Sequence, residues 1–264
     1  LIDLGIQVSV IELADRILSA TFDKKASGII EKALSLAHCD VITETTIERI
    51  MAKDGVISAI ELKNGQKIET QLLIVAIGVK PNLDLATGTP IKINRGFVVN
   101  DFMETSVEDI YAAGDCAECN KWVIAILPIA ARQGKIAGYN MTCKNPEDKK
   151  PYPGGFPMNS VELAGIPTIS VGITEPKGDP EDFEILERFE PKKNIYKKFI
   201  IEDNRLIGAI FVSEIDRAGI FTGLIKDGVD VSTFKDELMK DTFGLVSLPK
   251  SIRKYIVTGE PTVN

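Results

Sequence analysis

The sequence predicts an α/β protein that continues into an α+β unit. Three observations carry this reading. The chain opens on a helix end, a glycine and a β-branched strand ending in an acid, which is half of a βαβ unit, and an amphipathic helix and a further strand follow. A stretch with four prolines and two glycines, Lys144 to Pro157, marks a boundary. Beyond it, strand-like segments come in a run and helical segments follow, the order of an α+β domain. The length, 264 residues, suggests about two domains.

Each element has its own local warrant. Leu1 to Leu4 read as a last helical turn stopped by Gly5. Ile6 to Glu12 alternates and is rich in β-branched residues, so it is a strand. Asp23 caps a helix from Lys24 to about Ala37, with Ala26, Ile29, Ile30, Ala33, Leu34 and Ala37 on one face. Asp40 to Thr43 is a short strand. From Thr46 to Glu69 the pairs Asp54-Gly55 and Asn64-Gly65 punctuate an antiparallel meander. Leu72 to Ile77 is a continuous apolar run, the pattern of a strand covered on both faces.

Gly96 to Asn100 and Ile110 to Ala113 are further strands. Pro128 is placed as the first residue of a helix running to about Cys143. Along it Ala130, Gly134 and Gly138 recur every fourth position. Each glycine costs ~1 kcal/mol of helix propensity, which close packing against a backbone or flat ligand would offset. After the boundary, "PTISVGIT", "FEILERFE", "NIYKKFIIED" and "RLIGAIFVSE" read as strands, with Asp203-Asn204 turning between the last two. Helices are expected over about Arg217 to Lys226 and Ser232 to Lys240.

Composition narrows the function. A net charge of −7 opposes nonspecific nucleic-acid binding. No apolar run approaches the ~20 residues of a membrane helix. Cys39, Cys116, Cys119 and Cys143 are too few for a disulfide scaffold, and no signal peptide is visible, so a cytoplasmic, reducing setting is expected. His38 is the one histidine, placed at a helix end with no nucleophile beside it in sequence, so triad chemistry has little support.

Two carboxylates are candidates for ligand binding. Glu12 ends the first strand, where an acid of a dinucleotide-binding unit accepts hydrogen bonds from a ribose 2′-hydroxyl and repels a 2′-phosphate. Arg16, close by in sequence, pulls the other way, and an isolated strand-end Glu is also an ordinary surface residue. Asp115 follows Gly114 at the end of an apolar stretch, a position at the carboxyl edge of a sheet where ligands bind. A plain Gly-Asp turn fits the same spacing. Cys116 and Cys119 form a CxxC pair, but a lone pair cannot close a four-ligand zinc site, and a thioredoxin-like pair opens a helix. No metal site is expected.

Four segments resemble one family. "TSVEDIYAAGDCAE" is similar to the second FAD-binding motif of the pyridine nucleotide-disulfide oxidoreductases. "VSVIELADRIL" resembles the second strand of their NAD(P)H-binding domain, "LLIVAIGVKPNLDLA" the return from that domain to the FAD domain, and "AARQGKIAGYNM" the helix after the FAD motif. The order and spacing also match. The tail from Tyr196 to Gly228 is similar to the C-terminal domain of the NADH oxidase, rubredoxin reductase and nitrite reductase flavoprotein branch.

The resemblance implies the remainder of two dinucleotide-binding, Rossmann-like domains plus a C-terminal α+β domain. Residues 1–79 would be a partial NAD(P)H-binding domain with its meander, 80–150 the C-terminal segment of the FAD domain, and 151–264 a dimerisation or interface domain. Asp115 would hold the FAD ribitol, and Gly114 would let the chain pass the flavin. The helix start at Pro128 and Ile129 would point its positive end at the flavin pyrimidine, and Gly78 would mark the domain crossing. Where the family has a threonine before that glycine, this chain has Ile77, which removes a hydroxyl. The absence of histidine from the C-terminal part sets the chain apart from the glutathione-reductase-like branch.

The first FAD motif, the NAD glycine fingerprint and any redox cysteine of the N-terminal domain would lie upstream of Leu1. The expectation is therefore an FAD-dependent NAD(P)H oxidoreductase, NAD preferred, whose electrons go to oxygen, a disulfide or a small electron carrier. The 264-residue piece alone is expected to be inactive and to bind FAD weakly or not at all. A homodimer is expected. The competing readings are a non-catalytic dimerisation module and a CxxC redox or metal module.

Overall fold

The computed structural model describes residues 1–253. Its contacts divide the chain into two compact units: Leu1–Ile74 together with the chain from Met158, and Val75–Pro157.

The first unit opens on a 3-10 turn, Ile2–Leu4, ended by Gly5 in the left-handed region at φ 72°. β1 (Val8–Ile11) is shorter than the expected strand and pairs in parallel with β2 (Cys39–Ile42). Between them runs α1 (Lys24–Leu36). Asp23 caps it, its carboxylate accepting the Ala26 N–H at 3.1 Å. Ala26, Ile29, Ile30 and Leu34 are buried, the face that helical spacing assigns. His38 follows the helix, exposed.

β3 (Ile47–Lys53), β4 (Val56–Leu62) and β5 (Lys67–Glu69) form the meander. Asp54 and Gly55 both have positive φ, 52° and 81°, the type I′ geometry that an Asp-Gly pair favours.

The run from Leu72 to Ile77 is not a strand. Leu72 is 65% and Ile77 92% exposed. Its side chains suit a central strand, but a strand exists only by pairing, and no described backbone lies alongside to form the ladder.

In the second unit β6 (Phe97–Val99) pairs in parallel with β7 (Ala117–Cys119). The expected strand at Ile110 to Ala113 reduces to one bridge between Glu104 and Tyr111, so the paired strand follows the Gly114-Asp115 turn instead of preceding it. α2 spans Leu127–Asn140, which makes Pro128 its second residue and ends it short of Cys143. Val99, Met103, Ala117, Cys119, Ala137 and Tyr152 form the core of this unit.

The rest of the first unit is an antiparallel sheet of β8 (Met158–Leu163), β9 (Ile166–Gly172), β10 (Glu184–Glu190), β11 (Ile195–Glu202) and β12 (Arg205–Val212), in the order β10-β11-β12-β9-β8. β8 escapes sequence reading because Asn159, Ser160 and Glu162 dilute its apolar alternation, as suits an edge strand.

Phe199 and Ile201 of β11 pack under α3 (Ala218–Lys226) with Phe211, Phe221 and Phe243. Tyr196, Ile210 and Val212 on the opposite face join Phe22, Ile29, Ile30 and Leu34 around α1. The sheet is thus a middle layer, buried on both sides. The helix expected at Ser232 to Lys240 is only a 3-10 turn, Lys235–Glu237. So short a helix is marginal alone, and burial of Phe234, Leu238 and Phe243 in the cluster under α3 sets the path instead.

Candidate functional site: the Gly114-Asp115 turn and the start of α2

The turn between Ala113 and Ala117 is tied down on several sides. The Gly114 N–H donates to Oε1 of Gln133 at 2.8 Å, and Gln133 is buried on α2. Gly114 has φ 85°, and a Cβ there would stand 3.4 Å from Cβ of Ala130. Glycine is what lets this turn rest on the first turns of α2. The Ala117 N–H donates to the Gly114 carbonyl at 2.9 Å, and the Phe97 N–H to the Cys116 carbonyl at 2.7 Å. Asp115 is exposed on this fixed turn, and its carboxylate has no hydrogen-bond or ion-pair partner among the described residues.

The start of α2 lies against the same turn. Ile126 gives no side-chain cap, and Pro128 has no N–H. The N–H groups of Ile129 and Ala130 both donate to the Ile126 carbonyl, at 3.1 and 3.0 Å. What the helix offers a ligand is therefore the Leu127 N–H and the positive end of its dipole. The Ile129 side chain is buried and packs beside Gly155, so only its backbone could face a cofactor. Gly134 and Gly138 do not pack closely: a Cβ on either would meet no atom within 4 Å.

Sequence reading missed two residues that build this site. Glu118, buried on β7, accepts the Asn94 Nδ2 at 2.8 Å and the N–H groups of Arg95 and Gly96 at 2.7 and 3.0 Å. The Asn94 bond chiefly, against a smaller effect of burial, holds its carboxyl below the ordinary range. It braces the loop before β6, where a Cβ on Gly96 would come within 2.8 Å of the Cys116 carbonyl. Gln133 is the second. Ile129, Gln133, Ala137 and Asn140 share the buried face of α2, so a polar residue at an apolar helical position was the signal available.

The cysteines are poor redox candidates. Cys119 is buried on β7, and burial first, with Asp101 adding to it, pushes its thiol up, away from the thiolate that reacts. Cys116 is half-buried, its Sγ 3.5 Å from the Ala113 carbonyl. Among the described residues no three His, Cys, Asp or Glu side chains converge on one point.

The remaining predicted residues do not join this cluster. Gly78 is exposed at φ 94°, and a Cβ there would meet no atom within 4 Å. Glu12 belongs to the first unit, directly after β1, and its Oε1 accepts the Ala14 N–H at 2.9 Å. Its backbone N–H donates to the Ile42 carbonyl, extending the β1–β2 pairing by one residue. Arg16 is fully engaged: it donates to Asp15 at 2.8 Å, to Glu175 at 2.6 Å and to the Phe22 carbonyl at 3.2 Å.

Residues 1–134 match the pyridine nucleotide-disulphide oxidoreductase family, half of the chain. The chain belongs to this family. Residues 157–229 match the rubredoxin NAD+ reductase C-terminal domain. Among the chain's relatives, a nitrite reductase [NAD(P)H] of Bacillus subtilis is 28% identical over 88% of the chain and 28% of its own length. The rubredoxin-NAD(+) reductase of Acinetobacter baylyi is 35% identical over 50% of the chain and 34% of its own length. The crystal structure of NADH:rubredoxin oxidoreductase from Clostridium acetobutylicum superposes with a TM-score of 0.65 at 25% identity, covering 89% of this chain and 56% of that one. The chain thus spans well under two thirds of each of these relatives. No described helix is long and apolar enough to cross a membrane.

Proposed function

We propose that this chain handles flavin and nicotinamide within an FAD-dependent NAD(P)H oxidoreductase that delivers electrons to a small redox protein. The observation that carries the reading is Asp115, an unpartnered carboxylate on a turn that Gln133 and Ala130 hold against the start of α2. Its residues fit a flavin. A free carboxylate can accept hydrogen bonds from ribityl hydroxyls, glycine at 114 gives room for close approach, and the positive end of α2 favours negative charge placed there. A bound FAD would supply the coupling of a two-electron donor to one-electron acceptors: oxidation of one NAD(P)H to NAD(P)+ and a proton against reduction of two one-electron carriers.

On this reading residues 1–79 serve the nicotinamide nucleotide, 80–150 the flavin, and 151–264 a homodimer interface, in the cytoplasm. Glu12 favours NADH, because its carboxylate repels a 2′-phosphate and Arg16, the nearby cation, is already held by two acids and a carbonyl.

The protein encoded by the complete gene, purified, is expected to be yellow and to lose flavin absorbance on addition of NADH. A colourless protein without response to NADH refutes the proposal. For the 264 residues alone the expectation is weak or absent FAD retention and no turnover, read by equilibrium dialysis.

A further inference from the structure

We infer that the groove between α1 and the turn joining β10 to β11 is a binding site for a small aromatic carboxylate. The site stands apart from the flavin reading and does not depend on it.

The groove belongs to the first unit and holds about 290 Å³, near the lower end of the ~300–1,000 Å³ usual for small-molecule sites. One wall is α1, with Lys24, Gly28 and Lys32, and the other is Phe189 and Pro191. Those three α1 residues stand four positions apart, so they form one row along the helix, about 12 Å from end to end. A glycine inside a helix costs ~1 kcal/mol against alanine, a cost that close packing can offset. No packing offsets it at Gly28, because a Cβ there would meet no atom within 4 Å. What this glycine supplies is bare helix backbone, open to the groove between two lysines.

Phe189 supplies the aromatic wall. Its ring is 42% exposed, and an edge-on contact with Tyr196, centroids 5.7 Å apart at 85°, fixes its orientation. The turn behind it is fixed as well. Asn194 is left-handed at φ 57°, and its carbonyl accepts the Ser213 hydroxyl at 2.8 Å. A flat ring entering between Gly28 and Phe189 therefore meets a wall already in position, which lowers the entropy lost on binding.

The rim selects an anion. Three lysines and no acid line the groove, in a chain of net charge −7. Lys24 pairs with Asp15 at 3.1 Å and Lys25 with Glu187, so each has its counter-charge outside the groove. Lys32 is exposed and has no ion-pair partner among the described residues. One uncompensated cation matches a single carboxylate better than a group of higher charge. The lysine stems extend the apolar walls while their ammonium groups stay in water. The helix N-terminus takes no part, because the Asp23 carboxylate already caps it.

Calorimetric titration of the 264-residue chain with naphthoate tests the site. Saturable binding of one naphthoate per chain is expected, weakening as salt is added. Naphthamide, which keeps the ring without the charge, should bind about fivefold more weakly. Acetate, which keeps the charge without the ring, should not bind measurably, because it buries almost no apolar surface. Gly28→Leu fills the groove with a good helix former, so it should abolish binding with an unfolding midpoint at or above that of wild type. Lys32→Gln should weaken binding about fivefold, and Lys32→Arg should keep it within about twofold of wild type.

Absent binding, undiminished binding in Gly28→Leu, or equal affinity for naphthamide and naphthoate overturns the inference. So does displacement of naphthoate by NADH, which gives the groove to the nicotinamide nucleotide. Should Gly28→Leu fail to fold, the Lys32 pair decides: equal affinities of Lys32→Gln and wild type refute the site. A chain that binds naphthoate here while its complete protein holds no flavin refutes the proposed function and leaves this site standing.

Discussion

The ammonium of Lys198 lies 2.8 Å from the carboxylate of Asp23, and both side chains are buried. The pair joins the cap of α1 to the middle of β11. Asp23 Oδ2 also accepts the Tyr196 hydroxyl at 2.7 Å, Oδ1 accepts the Ala26 N–H, and Lys198 also donates to the Thr174 carbonyl at 3.3 Å. One carboxylate therefore caps a helix and neutralises a lysine buried on a sheet.

Removing one partner should cost more than the pair contributes. Lys198→Met leaves Asp23 buried without its cation, a loss of roughly 3–5 kcal/mol in systems of this kind. Asp23→Asn added to Lys198→Met removes the stranded charge and retains an N-cap residue, so most of that loss should be recovered. Urea unfolding of the two single variants and the double variant gives the coupling. Equal losses for Lys198→Met and the double variant would show that the charge is not what matters.

The same carboxylate predicts a pH dependence. Burial raises its pKa, but hydrogen bonds from Lys198, Tyr196 and Ala26, with the Lys198 charge, outweigh burial and hold it below the ordinary 3.8. A lowered folded value means the stabilisation is complete above about pH 4 and is lost as pH falls through the folded pKa. Wild type should lose stability on acidification below pH 4 more steeply than Asp23→Asn. Parallel unfolding midpoints for the two between pH 5 and pH 2 would contradict this.

Two glycines of the first unit should respond oppositely to alanine. A Cβ on Gly208 in β12 would stand 1.7 Å from the Ile173 carbonyl oxygen, a backbone atom that cannot step aside. Gly208→Ala should prevent formation of the native sheet, seen as loss of soluble expression or of cooperative unfolding. Gly28 is exposed within α1, with no atom within 4 Å of such a Cβ. Gly28→Ala should stabilise by about 0.5–1 kcal/mol. A destabilised Gly28→Ala would mean that the exposed face of α1 is covered in solution.

What could be read from the sequence was what neighbouring residues decide. Asp23 and the spacing of Ala26, Ile29, Ile30 and Leu34 specify α1 locally, and Asp54-Gly55 specifies its hairpin. What escaped depends on distant partners. Leu72 to Ile77 has the composition of a strand and no described neighbour to pair with. "YKKF" in β11 reads as solvent-facing lysines, yet Lys197 and Lys198 are both buried, and Asp23, which neutralises Lys198, lies 175 positions away. The Gly114-Asp115 turn was legible through its motif. The strand beside it was misplaced, because pairing with Phe97–Val99 selects Ala117–Cys119 over the equally apolar Ile110 to Ala113.

Asp115 and Gln133 separate binding from scaffolding at the candidate site. Asp115 has no partner among the described residues, so Asp115→Ala should leave the unfolding midpoint within about 0.5 kcal/mol of wild type. A hydrogen bond to a charged group contributes ~1.5–3 kcal/mol, so the same change should weaken flavin retention by the complete protein roughly 10- to 100-fold. Gln133→Leu acts on the support. It strands the buried Gly114 N–H, at a cost of about 1–3 kcal/mol of stability, and frees the turn that carries the carboxylate. It should therefore lower both stability and flavin affinity, while Asp115→Ala lowers affinity alone. The two losses are read on one preparation, by urea unfolding and by the fluorescence of released FAD. Full flavin retention in Asp115→Ala would remove this carboxylate from the site and leave the turn a structural element of the second unit.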